Sequence, residues 1–269
     1  MITKQTYTRK LYPITVICLI ILILIARLMW GWGNPSAEPY SDFWETISGL
    51  GDWKQSPVGF IYFQFWGLVF GVFILHVIRY IHQNMMHFKE YPIKLFGIKP
   101  ILTRKKPIKF KNHNLISFTS EDPIKIGTFF LLLAGIGFSL MGLVPDGVVT
   151  SISKFHEISA GVGFGGIFFA NAFYASVLDQ AMRENKINKK LHILSQILWW
   201  FLIIGTIITF GIAELYYKPM YDLGWYGPEW SEAGVPVIVS FPIWERIGFI
   251  VGCVYMGLIG FILPEKEMK

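Results

Sequence analysis

Charge is scarce in this chain, and the scarcity is its first constraint. Only 16% of the 269 residues are Asp, Glu, Lys or Arg, against 53% hydrophobic, whereas a soluble domain carries about 25% charged residues. Cysteine is nearly absent. Cys18 and Cys253 both sit inside apolar runs, which excludes a disulfide framework and leaves no redox-compartment signal. There is no HExxH, no GxSxG, no P-loop and no HxxxH pair within an apolar run, so the common zinc-protease, esterase and nucleotidase signatures are missing. No apolar run holds a central Lys for a Schiff base, and none holds the paired carboxylates that a proton-coupled pump uses. The two halves of the chain show no internal similarity, which disfavours a transporter built from inverted repeats.

What the chain does contain is six long apolar runs. A helix needs about 20 mostly apolar residues to cross a bilayer. The runs fall at about 12–30, 58–81, 126–144, 155–178, 193–213 and 243–263. The expected fold is therefore all-α: a single domain, residues 1–269, forming a polytopic bundle of six transmembrane helices. The first run is read as a retained helix, because it is long for a signal peptide and no small-x-small cleavage site follows it.

The basic residues support this count. Nineteen of the 24 Lys and Arg lie at the N-terminus (Lys4, Arg9, Lys10), in loop 2–3 with the adjoining helix ends (Arg79 to Lys125), between runs 4 and 5 (Arg183, Lys186, Lys189, Lys190) or in the tail (Lys266, Lys269). Six crossings put all of these segments on one side, and the positive-inside rule makes that side, with both termini, cytoplasmic. The net charge of +6 is thereby explained by topology, and no nucleic-acid partner is expected. The Lys-rich stretch TRKKPIKFKNH in loop 2–3 is read as an ordinary positive-inside loop, with contact to anionic lipid as the alternative. The other side has five basic and eleven acidic residues, spans included. Its loops 1–2 and 5–6 are rich in Trp, Tyr, Gly and Pro, which predicts short helices and turns at the headgroup level.

Ionisable residues beside hydrocarbon usually face a bundle interior or an aqueous cavity. Arg27 ends run 1, Asp146 follows run 3, and His156 and Glu157 open run 4. Glu214 closes run 5, and Glu245 and Arg246 open run 6. These residues share one depth and are expected to surround a pocket. His156 and Glu157 are the candidate acid–base pair, since an imidazole titrates near neutral pH. The bland alternative for His156 is a bond to a loop carbonyl. For Glu245 and Arg246, which point about 100° apart, it is a network that ties a loop to the bundle. Arg27, Ser48, Asp52, Asp146, Glu245 and Arg246 are candidate headgroup contacts. The turn Ile47-Ser48-Gly49-Leu50-Gly51-Asp52 permits close backbone approach. Gly161 and Gly165 form a GxxxG in run 4, read as a packing face within the bundle or toward a second membrane protein, a homo-oligomer included. The alternative is space left for a lipid tail. No metal and no cofactor is expected: a zinc site needs three or more ligands, and the chain offers only His156 with Glu157, Asp146 or Asp52.

Three landmarks occur in order: EPYSDFWETISGLGDWKQSPVGFIYF, then GLVPDG leading to HEISAG, then FPIWERIGFIVG. This pattern resembles the DUF998 family of six-span prokaryotic membrane proteins and, more distantly, the Frag1/DRAM/Sfk1 group. The resemblance implies a prokaryotic cell membrane and, through the second group, lipid handling. By position it singles out Ser48, Gly51, Pro145, His156, Ala160, Glu245 and Arg246. The chain has Gly49 where the family commonly has Asp. The expected function is binding or remodelling of an outer-leaflet lipid. A non-enzymatic scaffold or accessory subunit is the alternative, and a small-solute transporter is a distant third, because the span midplanes are almost wholly apolar.

Overall fold

The computed structural model describes residues 2–37, 40, 50–52, 54–89, 109–110, 113–114, 121–144, 150–223 and 228–264. Six helices are long and apolar enough to cross a membrane: α1 (Lys4–Leu28), α2 (Gly59–Phe88), α3 (Glu121–Leu143), α4 (Thr150–Arg183), α5 (Lys189–Tyr221) and α6 (Phe241–Ile262). The protein is an integral, multi-pass membrane helix bundle. The helices outrun the apolar runs by up to about two turns, because helix geometry continues through polar ends such as Lys189–Lys190. Asn188 caps α5 by accepting from the amides of Lys190 and Leu191. Ser240 caps α6 in the same way through Ile243, with Pro242 in the first turn where no amide hydrogen is needed.

Helices α2, α3 and α4 form the tightly packed part of the bundle. Hydrocarbon gives helices no hydrophobic reason to associate, so close van der Waals approach must do it, and small residues permit that approach. A Cβ on Gly137 would lie 2.7 Å from the Ser159 carbonyl oxygen, and one on Gly166 would lie 2.6 Å from the Ala134 nitrogen. Gly67 meets Gly142 in the same manner across α2 and α3. Phe249 of α6 reaches this unit, its ring 4.0 Å from Trp66 and 5.4 Å from Phe164 between centroids. Helix α5 packs mainly on α6, where the Trp244 indole lies over Gly205, and both touch α4 only sparsely. That mismatch leaves a gap between α4 and the α5–α6 pair.

The start of α1 meets the end of α6. The Tyr7 hydroxyl donates to the Met256 carbonyl, and Lys4 Nζ donates to the Leu263 carbonyl at 2.6 Å. The first and last described segments therefore lie at one end of the bundle, the terminal face; the other end is the distal face. On the distal face, short helices at Pro228–Glu232 and Val237–Val239 fold over the end of α5. There a fully buried Trp230 packs with Ala213, Val235 and Val239. Within loop 2–3, Lys109–Phe110 pairs antiparallel with His113–Asn114. Most of the Lys-rich stretch lies outside the described residues.

Candidate functional site

The gap between α4 and the α5–α6 pair is a cavity of about 940 Å³. Its polar lining gathers at the distal end: His156 and Glu157 from the start of α4, Glu245 from the start of α6, and Thr206 from α5. The rest is apolar, walled by Phe70, Phe138, Phe164, Phe168, Trp199 and Phe249. From His156 to Phe168 is twelve residues of one helix, roughly 18 Å at 1.5 Å per residue. Half of a bilayer's hydrocarbon core is about 15 Å, so the cavity is about as long as one leaflet is thick. Glu157, Gly161 and Ile207 line it and are also exposed on the outside of the bundle, Ile207 to 67%. The cavity thus opens sideways as well as at its mouth.

His156 is 2% exposed. Its Nδ1 is 2.8 Å from the Val144 carbonyl oxygen. A carbonyl only accepts, so Nδ1 carries the hydrogen, and in the neutral ring the lone pair sits on Nε2. Nε2 is buried with no partner among the described residues. An unsatisfied buried acceptor costs about 1–3 kcal/mol, a cost that a donor supplied from the cavity would offset. Helical phase explains its position. It stands at the edge of the α4 face that meets α3 through Gly163 and Gly166, where that face borders the cavity.

Of the other candidate residues described, only Glu245 joins His156 and Glu157 at the cavity. Glu245 lines the cavity, but its neighbour Arg246 turns away: Nη2 donates to the Tyr40 hydroxyl at 2.7 Å and Nη1 to the Pro242 carbonyl at 3.1 Å. Arg27 also reaches Tyr40, its guanidinium 5.1 Å from the ring centroid. Neither arginine lines the cavity. Together they clamp the buried Tyr40 of loop 1–2 to the ends of α1 and α6, which corrects the expectation that both stand in a shared pocket. Asp52 accepts from the amides of Lys54 and Gln55 through Oδ1, at 2.7 and 3.3 Å. It is a turn cap rather than a cavity group. Glu214 pairs with Lys218 at 2.9 Å. Ser48 and Asp146 lie outside the described residues.

The GxxxG reading also needs correction within the chain. Gly161 and Gly165 face the cavity with nothing within 4 Å of a Cβ at either position, while Gly163 and Gly166 make the close contacts. Among the described residues no group of three or more His, Cys, Asp or Glu could hold a metal ion.

Sequence reasoning missed three features. Tyr40 gave no signal, being one of several loop aromatics. Trp244, which lines the cavity and donates from Nε1 to the Ile238 carbonyl at 2.7 Å, was hidden behind the Glu-Arg pair. The third is a polar pair on the terminal half: the His192 ring, 1% exposed, lies with Nε2 2.7 Å from Asp179 Oδ1. The pair lines a smaller cavity of about 430 Å³ with Gln196 and Trp200. The signal for it was available, since Asp179 and His192 sit at matched distances from the short turn that joins α4 to α5.

Fold and cavity together define a six-helix polytopic membrane protein with an amphipathic cavity between α4 and the α5–α6 pair. No protein-family model, curated protein or solved structure matches the chain.

Proposed function

We propose that this protein binds a membrane lipid in the cavity between α4 and the α5–α6 pair. The headgroup lies at His156, Glu157 and Glu245, and a chain lies along the aromatic wall. One observation carries the reading: a single cavity of about 940 Å³, polar at one end and apolar along the rest, open at its side. Ligand pockets of this kind run to about 300–1,000 Å³ with a few convergent polar groups. The glycines Gly161 and Gly165 leave the wall smooth where a chain would lie. With one hydroxyl and no thiol among the lining residues described, binding or presentation of the lipid is better supported than nucleophilic chemistry. The positive-inside argument makes the distal face the outer one, so the lipid belongs to the outer leaflet. The motif resemblance favours a prokaryotic cell membrane.

The test is photo-crosslinking in vesicles with a lipid carrying a diazirine in its acyl chain. Adducts are expected on peptides covering 160–168 and 199–207. Labelling spread evenly over the exposed faces of α1 and α5, with those peptides spared, would overturn the reading and leave the scaffold alternative.

A further inference from the structure

The charges at the cavity mouth say which lipid it takes, an inference that rests on the lipid-binding reading above. A chain that enters from the bilayer exchanges one hydrocarbon surrounding for another, so the apolar wall discriminates little between lipids of equal length. Selection therefore falls to the mouth. Its ionisable lining is His156, Glu157 and Glu245, with no Lys or Arg among the lining residues described. The nearby cations are engaged or outside. Arg27 and Arg246 hold Tyr40, Lys218 holds Glu214, and Lys54 and Lys154 are exposed and do not line the cavity. Glu157 is exposed at the rim. Glu245 keeps a further contact in the chain, and Glu157 alone is enough to give the mouth a negative charge. His156 adds a second kind of evidence: a buried ring with a bare, unpartnered Nε2.

Carboxylates and a neutral imidazole nitrogen of this tautomer are all acceptors. They match a headgroup that brings hydrogen-bond donors and positive charge, and the poorly solvated membrane boundary strengthens each such contact. A glycerol headgroup brings donors, but its phosphate leaves it net negative. A choline headgroup brings charge without an N–H. A primary ammonium brings both. We infer that the cavity selects lipids with a primary-amine headgroup, of the phosphatidylethanolamine kind, over phosphatidylglycerol and phosphatidylcholine with the same chains.

The experiment is native mass spectrometry of the full-length chain, released from micelles that hold dioleoyl forms of the three lipids in equal amounts. Ethanolamine-lipid adducts are expected to exceed each of the others by roughly tenfold or more, the worth of one hydrogen bond to a charged group. Glu157→Gln is expected to bring the ratio toward one while total lipid is retained. Gly165→Leu, or Gly161→Leu as a second blocking variant, fills the cavity from an open position and is expected to lower all three adducts. Glycerophosphoethanolamine, the same head without chains, is expected to leave the adducts in place; displacement by it would point to a free amine as ligand and overturn the lipid assignment. If blocking lowers all three lipids but the unmodified chain shows no preference, the amine inference fails and the lipid site stands. If blocking changes nothing, the lipid site itself is wrong. A preference that survives both Glu157→Gln and Glu245→Gln would overturn the acceptor-mouth argument.

Discussion

Adjacent glycines in α4 should respond to the same substitution with opposite sign. In Gly165→Ala the new methyl enters open space, with no atom within 4 Å. The change then registers only the helix-propensity gain of Ala over Gly, about 0.8–1 kcal/mol. In Gly166→Ala the same methyl falls 2.6 Å from the Ala134 nitrogen and 2.6 Å from the Phe130 carbonyl oxygen. Both are backbone atoms of α3 and cannot swing aside, so α3 and α4 must separate. Overpacking of this kind costs about 1–3 kcal/mol, occasionally more. The propensity term is common to both variants and cancels in their difference, leaving Gly166→Ala the less stable by about 1–3 kcal/mol. At about 2–4 °C per kcal/mol for a chain near this size, the two melting temperatures should differ by several degrees. Tryptophan fluorescence followed on heating in one detergent would measure this, with the comparison kept between variants because a membrane protein need not unfold in two states. Equal melting temperatures, or a more stable Gly166→Ala, would refute the assignment of the 163/166 face to α3 and the 161/165 face to the cavity.

Three further outcomes are expected. Tyr40→Phe removes the hydroxyl that accepts from Arg246 at 2.7 Å and should destabilise the distal end by about 1.5–2 kcal/mol, the lower part of the range for a hydrogen bond to a charged group; a thermal-shift assay reads it, and an unchanged midpoint would remove the clamp. Asp179→Ala leaves the buried His192 ring with two bare nitrogens, because Nδ1 already has no partner among the described residues. It should cost about 1–3 kcal/mol, and adding His192→Phe should recover most of the loss in the same assay, since removing both polar partners is nearly neutral. For topology, single cysteines at the exposed positions Lys154 and Lys186, in a background with Cys18 and Cys253 replaced, should react with a membrane-impermeant maleimide from opposite sides. Lys154→Cys should label in intact cells and Lys186→Cys only after lysis, and the reverse pattern would invert the orientation.

The sequence by itself determined how many times the chain crosses the membrane and where. A bilayer leaves no other choice: a spanning segment must satisfy its own backbone and present apolar side chains over a fixed thickness, so Gly59–Phe88 or Phe241–Ile262 is legible as a run of residues. It also determined that His156, Glu157 and Glu245 share a depth, because depth is position along a helix. It did not determine which neighbour each helix face meets. Four glycines between 161 and 166 cover two faces of α4, one through Gly161 and Gly165 and another through Gly163 and Gly166, and helical period treats both alike. Only tertiary packing decided that α3 takes the second face and the cavity the first. Likewise, neighbours about 100° apart such as Glu245 and Arg246 are bound to diverge, but that one would line a cavity and the other hold Tyr40 depended on α5 standing off from α4 and on a loop residue 206 positions away. Helix–helix contact in hydrocarbon is settled by steric fit between surfaces far apart in sequence, and that fit is not written in any one run.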